Sequence, residues 1–231
     1  MKRQKRIVVM GCSFVVGLAL LGIGGTTMTN NNVTVHAVTT PADKGLAAPE
    51  KVDGTQTEAQ TVTGNSTSGK VTYSNGANSA TTATYKQQKY GTTSQAKTGF
   101  ENTQNLTNAD GTKVTLSDGT KATSQGVMGH VYVQWQKNGW TVTTVADTED
   151  LTTSSVNQTN KTVTAVANKV KKSLKSNKVI TQNVTRGNVV VYDGAQQKPV
   201  NNISWQQKNK VVQVSGNSAE TTAKIAKEAI K

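Results

Sequence analysis

Cysteine, histidine and aromatic residues are scarce in this sequence, and the scarcity of the first two excludes disulfides and several kinds of catalytic and metal site. Among 231 residues there are one cysteine and two histidines, and aromatic residues make up 4%. Cys12 lies in the first apolar run, so the rest of the chain cannot be joined by disulfides and must be stabilised by a packed core. His130 is the only histidine after residue 37, which excludes Cys–His catalysis and multi-histidine metal sites within one chain.

Acidic residues are also few, and the resulting positive charge limits the partners that the chain favours. It carries 26 Lys and Arg against 13 Asp and Glu, a net charge of +13. Residues 70–231 alone hold 20 basic and 9 acidic residues, a balance of +11. Outside a cell such a charge favours an anionic wall polymer, anionic lipid head groups or an acidic polysaccharide, and no nucleic acid is expected. The alternative is that the charge serves only solubility.

Residues 1–37 have the composition of a secretory signal peptide. Four basic residues precede an apolar run over residues 7–23, and Val35-His36-Ala37 forms a small-residue cleavage site. The sequence therefore predicts a protein that is secreted or held at the cell surface, with a mature chain that begins at Val38. The alternative is an uncleaved anchor, because the apolar run is near the lower length limit for crossing a bilayer. Contact with a membrane is expected only in that case.

Large apolar residues are sparse in the next part of the chain. Residues 38–84 are dominated by Thr, Ser, Asn, Gln, Gly and Ala. So little apolar surface can be buried there that we expect a disordered linker. Residues 85–110 carry scattered aromatic side chains and are interpreted as a transitional segment, with either an edge strand or a stacking surface. The folded domain is predicted over residues 111–231.

A hairpin over residues 130–146 is the strongest structural signal of this domain. Asn138-Gly139 favours a two-residue turn, because a type I′ turn needs positive φ at both central positions. This turn would place Trp135 opposite Val142 on an apolar side. The other side would carry Gln134 opposite Thr143 and Gln136 opposite Thr141.

A similar pattern returns 70 positions later, where Trp205 and Val212 correspond to Trp135 and Val142. A helical pattern follows each hairpin, so a duplicated strand, hairpin and helix unit is one interpretation; the other is that two unrelated hairpins share an alternating pattern. We expect an α+β fold in which antiparallel hairpins pack against two helices.

The first of these helices, predicted over residues 159–176, is the most basic element of the sequence. Its apolar positions recur at steps of three and four and would face the core. The candidate anion-binding residues lie on and just after it: Lys169, Lys171, Lys172, Lys175 and Lys178. We interpret the chain as a non-enzymatic cell-envelope or extracellular protein whose lysines hold an anionic wall polymer or another acidic surface ligand. No cofactor and no metal site is predicted.

Two alternative functions depend on single residues. The register places the Trp residues on the apolar side with Val133 and Val142, which favours a position in the core. Trp140, beside the predicted turn, is expected to be partly exposed, so it could stack against a sugar in a glycan- or protein-binding adhesin that uses the polar hairpin side. His130 would be the centre of a hydrolase, although no Gly-x-Ser-x-Gly motif accompanies it and a turn histidine explains it equally.

The two Trp-bearing segments, residues 129–140 (GHVYVQWQKNGW) and 203–216 (ISWQQKNKVVQVSG), also carry a family resemblance. The chain resembles small secreted proteins and lipoproteins of low-GC Gram-positive bacteria, in which a Trp-bearing hairpin and a helix precede a second such pair. The resemblance covers about residues 111–231 and implies export, but no functional residue, because the group has no agreed activity. Only Ile7, Val8 and Val9 of the apolar run precede Met10-Gly11-Cys12, and the longer part of the run comes after Cys12, so lipid attachment at Cys12 is not expected.

Overall fold

The computed structural model describes residues 39–76, 79–104, 109–148, 156–193, 198 and 200–230, with side chains of the second helix from Thr164 onward. The predicted signal peptide lies outside these residues. The strands are β1 Glu58–Gly64, β2 Ser68–Ser74, β3 Ala83–Lys89, β4 Thr112–Thr115, β5 Lys121–Val127, β6 His130–Lys137, β7 Trp140–Asp147, β8 Arg186–Tyr192, β9 Asn201–Gln207 and β10 Lys210–Gly216. The α-helices are α1 Thr93–Glu101, α2 Val156–Ser176 and α3 Ala219–Ala229.

Within the described residues these strands form one mixed sheet of ten strands, so the fold is α+β and mostly β. The strand order is β1-β2-β3-β10-β9-β8-β7-β6-β5-β4. Neighbouring strands are antiparallel except β7 and β8, which are parallel and are connected through α2. Such a parallel pair needs a long crossover, and a helix supplies it.

The first Trp-bearing hairpin has the predicted register. Asn138 and Gly139 have φ values of 50° and 79°, and they connect β6 to β7. Trp135 is paired with Val142, and Gln134 with Thr143. The hairpin prediction is therefore confirmed.

The second Trp-bearing hairpin repeats the first in its register. Trp205 is paired with Val212 across β9 and β10, and Lys208 in the turn has a φ of 53°. The helix α3 follows this hairpin as α2 follows the first. Both predicted helices are present in the structure.

The core lies on the side of the sheet covered by α2 and α3, which we call the helical face. Trp135 and Trp205 are 2% and 0% exposed and belong to the same apolar cluster as Leu174 of α2 and Ile225 of α3. The expectation that the two hairpins direct their apolar sides beneath two helices is confirmed. Side chains alternate along each strand, so the polar residues lie on the opposite, open face.

The prediction of a linker over residues 38–84 is wrong for the part that the structure describes. The strands β1 and β2 lie in it and extend the sheet beyond β3. Val71, Tyr73 and Leu46 from this region are buried in the main core. Apolar residues are few in this region, but those on β1 and β2 pack on the same core, namely Ala59, Val62, Val71 and Tyr73.

The transitional segment over residues 85–110 also differs from its prediction. Most of β3 lies in it, and β3 is an inner strand between β2 and β10 rather than an edge strand. The helix α1, which the sequence analysis missed, follows β3 and packs Ala96 and Phe100 on Val211. Since Val211 points away from the buried Val212, α1 lies on the open face. The folded region therefore begins well before residue 111.

Candidate functional site

Four of the five predicted anion-binding lysines form an exposed basic stripe, which we call the helix lysines: Lys169, Lys172, Lys175 and Lys178. All four are exposed, and none has a carboxylate within 4.0 Å among the described residues. Lys169 and Lys172 are three residues apart on α2 and therefore lie on the same side of the helix. Ala167 and Leu174 occupy the buried side, so the helix lysines face solvent.

Lys171, the fifth candidate, is not available to a ligand. Its ammonium lies 2.6 and 2.5 Å from the two carboxylate oxygens of Asp118 and also donates to the hydroxyl of Thr120. Hydrogen bonds to Asp118, chiefly from Lys171 and next from Thr120, hold the pKa of that carboxyl well below its usual range. Lys171 thus fixes the β4–β5 turn against α2, and we remove it from the candidate set.

Further cations lie along one end of the sheet, which we call the basic end. Strand register places there the last residues of β3 and β6, the first residues of β5, β8 and β10, and one turn residue. They are Lys89, Lys121, Lys137, Arg186, Lys208 and Lys210. Glu101 at this end lies 3.6 Å from Arg186. Burial lowers the pKa of Lys210.

The opposite end of the sheet carries carboxylates. Asp147 ends β7, and Glu58 begins β1. Glu220 is in the first turn of α3, where the helix dipole favours a negative charge. Lys51 and Lys224 pair with Glu58 and Glu220 at 3.3 and 2.8 Å. The lysines named at this end, Lys51 and Lys224, are therefore both paired with carboxylates.

Trp140 was predicted to be partly exposed, and this prediction is wrong. The side chain is 0% exposed, its indole N–H donates to the carbonyl of Gln182 at 3.0 Å, and its ring lies 6.4 Å from that of Trp205. The segment that follows α2 covers the end of the hairpin and so buries the ring. Trp140 stabilises the core and has no surface for stacking a ligand.

The polar side of the first hairpin is also less accessible than expected. Gln134 donates to Thr143 and accepts from the backbone N–H of Ala109 at 3.0 Å. Thr143 itself is buried. The segment that follows α1 therefore contacts this part of the open face and forms a hydrogen bond with Gln134.

His130 lies at the end of the sheet opposite the basic end. Its Nδ1 is 2.6 Å from Asp147 Oδ1, and its ring meets Tyr132 edge-on at 6.3 Å. His130 and Asp147 are direct partners across β6 and β7. Among the described residues, the contacts of the imidazole are with Asp147 and Tyr132.

The sequence analysis missed a polar row on the open face of β1, β2, β3, β10 and β9. Strand register aligns five side chains across these strands: Thr63, Lys70, Lys86, Gln213 and Ser204. Lys70 and Lys86 are direct neighbours although 16 positions separate them in sequence. Alternation could have assigned each to a polar side, but only the pairing of the strands brings them together.

Neither a metal-ligand cluster nor a membrane-spanning helix is present in the parts of the chain that the structure describes. These parts contain no group of three His, Cys, Asp or Glu side chains that could hold a metal ion. None of their helices is both long and apolar enough to cross a membrane. Comparisons with protein-family models, curated proteins and solved structures found no match.

Proposed function

We propose that this is an exported, non-enzymatic protein of the cell envelope or extracellular space that binds an anionic wall polymer or another acidic surface ligand. The observation that carries the proposal is the exposed stripe of helix lysines, which has no carboxylate partner in the described structure. Solvated ammonium groups at this density raise the local concentration of a polyanion. The composition of residues 1–37 and the resemblance to secreted proteins of Gram-positive bacteria support the location.

The distribution of charge over the molecule supports the same proposal. Lysines cluster on α2 and at the basic end of the sheet, where Glu101 and Asp118 accompany them, whereas Glu58, Asp147 and Glu220 lie at the other end. A charge separation of this kind orients a protein in the field of an anionic surface before contact. The basic end would therefore face the polymer.

We also propose that β5–β6–β7–α2 and β8–β9–β10–α3 are copies of one unit. Each is an antiparallel meander followed by a helix, and the pairs Trp135–Val142 and Trp205–Val212 occupy the same register. The constant offset of 70 residues supports the proposal. The two copies would meet at the parallel pair of β7 and β8.

The function is tested by retention on purified Gram-positive cell walls during a salt titration. We expect retention to fall by roughly tenfold as ionic strength rises from 0.05 to 0.5 M, since screening weakens exposed charges. Replacement of Lys169, Lys172 and Lys175 by Gln is expected to reduce retention at low salt several-fold.

A matched control removes the same charge elsewhere. Lys51, Lys97 and Lys227 each lie within 4.0 Å of a carboxylate, and replacing all three by Gln leaves the helix lysines intact. We expect this control to retain wall binding. Retention that is insensitive to salt, or equal losses in both triple variants, would contradict the proposal.

A further inference from the structure

The polar row is arranged as the bottom of a binding groove. Strands in a sheet are about 4.8 Å apart, so five aligned side chains extend over about 19 Å. Val71 and Tyr85, which flank Lys70 and Lys86, point into the core on the helical face. Lys70 and Lys86 therefore project from the open face, and both are exposed.

The two lysines lie side by side without a counter-charge. Direct cross-strand partners have Cβ atoms about 5 Å apart, and like charges in this position destabilise a sheet. In the described part of the chain neither ammonium has a carboxylate within 4.0 Å or a hydrogen-bond partner. A bound anion would remove this repulsion, so the pair favours a ligand with a negative group.

A groove of about 410 Å³ lies above the row. This volume is within the usual range for a small-ligand site. Its lining includes Lys70, Lys86, Gln88, Tyr90 and Gln213, and no carboxylate. The segment after α1 closes one end of the groove, where the Thr103 hydroxyl donates to that of Ser204 at 3.2 Å.

The other lining side chains bear hydroxyl and amide groups. Thr63 lies beside Lys70 at one side of the pair. Gln213 lies beside Lys86 at the other side, and its amide has no hydrogen-bond partner among the described residues. Hydroxyl and amide groups flanking two ammonium groups suit a ligand whose anionic centre is flanked by hydroxyls.

We propose that this groove binds one anionic unit of a hydroxylated chain, with a phosphate or carboxylate between Lys70 and Lys86 and the neighbouring hydroxyls on Thr63 and Gln213. This site deepens the proposed function, on which it rests, by adding a defined subsite to the general attraction of the helix lysines. The ligand class is a polyol phosphate or an acidic oligosaccharide. A phosphate suits lysine well, because each ammonium acts as a point charge.

The test uses the full chain and short probes. Calorimetric titration with a glycerol-phosphate tetramer and with tetragalacturonate separates the two anion types, and neutral maltotetraose serves as the uncharged control. We expect binding of at least one anionic tetramer and none of maltotetraose. Lys70→Gln/Lys86→Gln is expected to weaken that binding at least tenfold, whereas Lys169→Gln/Lys172→Gln, with the same change in charge, is expected to weaken it less than threefold.

Thermal unfolding gives an independent readout. A ligand that binds only the folded protein raises its melting temperature, so the anionic tetramer should stabilise the wild type and not Lys70→Gln/Lys86→Gln. Without ligand the double variant should be at least as stable as the wild type, because the like-charge pair is gone. Loss of binding therefore cannot be attributed to misfolding.

The two proposals fail in different ways. Equal weakening in both double variants, absence of tetramer binding, or equal affinity for a thymidine tetranucleotide would overturn the groove site. Salt-sensitive wall retention that persists in Lys70→Gln/Lys86→Gln alongside any of these results would leave the proposed function standing. Conversely, tetramer binding at the groove with salt-insensitive wall retention would support the site and overturn the proposed function.

Discussion

At the scale of single residues, Trp140 shows that the role of a side chain depends on which segments of the chain pack over it. A strand pattern predicts which side of a ribbon Trp140 occupies, but its burial depends on the chain after α2. The carbonyl of Gln182 accepts from its indole N–H, and the backbone of Gly187 on β8 lies against its ring. Because Gly187 has no side chain, the Trp140 ring can fill the space beside its backbone.

Gly187→Ala is expected to lower the free energy of unfolding by about 1–3 kcal/mol, since an overfilled core forces its side chains to shift. A Cβ there would come within 2.6 Å of ring atoms of Trp140. Gly126→Ala on β5 is the matched control, because no atom lies within 4 Å of its added Cβ. We expect that control to change stability by less than about 1 kcal/mol. Urea unfolding curves that coincide for the two variants would contradict this account of Trp140.

At the scale of elements, α3 shows how a correct helix prediction can have a displaced start. The sequence spacing suggests a capping box with Asn217 as the N-cap. In the structure Ser218 is the N-cap, and its hydroxyl accepts from the N–H of Thr221 at 3.3 Å. The backbone N–H of Asn217 instead donates to the carbonyl of Thr82 at 3.0 Å. That contact with the chain before β3 keeps Asn217 outside the helix.

Ser218→Ala should therefore lower the free energy of unfolding by about 1 kcal/mol, the usual contribution of an N-cap side chain. Asn217→Ala should change it by less than about 0.5 kcal/mol, because the backbone contact with Thr82 remains. Thermal unfolding of both variants and the wild type measures the difference. A larger loss in Asn217→Ala than in Ser218→Ala would support the sequence-based cap instead.

The helix α1 shows a local signal that a hydrophobic pattern does not detect. Thr92 accepts from the N–H of Gln95 and Gln95 accepts from the N–H of Thr92, at 3.2 and 3.1 Å, which completes a capping box. Only Ala96 and Phe100 are buried within the helix. A helix with so small an apolar side is easily taken for a loop, although its cap residues are readable in the sequence.

At the scale of the whole molecule, the sheet joins the region predicted as a linker to the predicted domain. The strand β3 pairs with β10, which is more than 120 residues later in the chain. Residues from both regions share one core, in which Tyr73 is fully buried and its hydroxyl donates to the carbonyl of Pro49 at 2.8 Å. Burial raises the pKa of Tyr73.

Tyr73→Ala is expected to lower the free energy of unfolding of the whole protein by about 3–5 kcal/mol, the usual cost of removing a buried aromatic ring. Thr72 is its neighbour on β2 and points to the open face, so Thr72→Ala should change stability by less than about 0.5 kcal/mol. Calorimetry of both variants measures the difference. If residues 38–84 were a linker, neither substitution would shift the transition.

The two Trp-bearing hairpins, their register and the two helices that cover them could all be predicted from local sequence. These features depend on neighbours in the chain: Asn138-Gly139 sets a turn, alternation sets a face, and steps of three and four set a helix side. The sequence also indicated the exposed positions of the helix lysines. Short-range geometry was sufficient for each of these predictions.

Which distant strands pair could not be predicted from local sequence, and three features of the candidate sites depend on the long-range contacts of the folded chain. The cover over Trp140, the contact between Lys171 and Asp118, and the meeting of Lys70 with Lys86 all join residues that are not sequence neighbours. A polar residue on a strand is assigned to a face by local alternation. Its partner across the sheet is selected by the packing of the whole core, which no local pattern records.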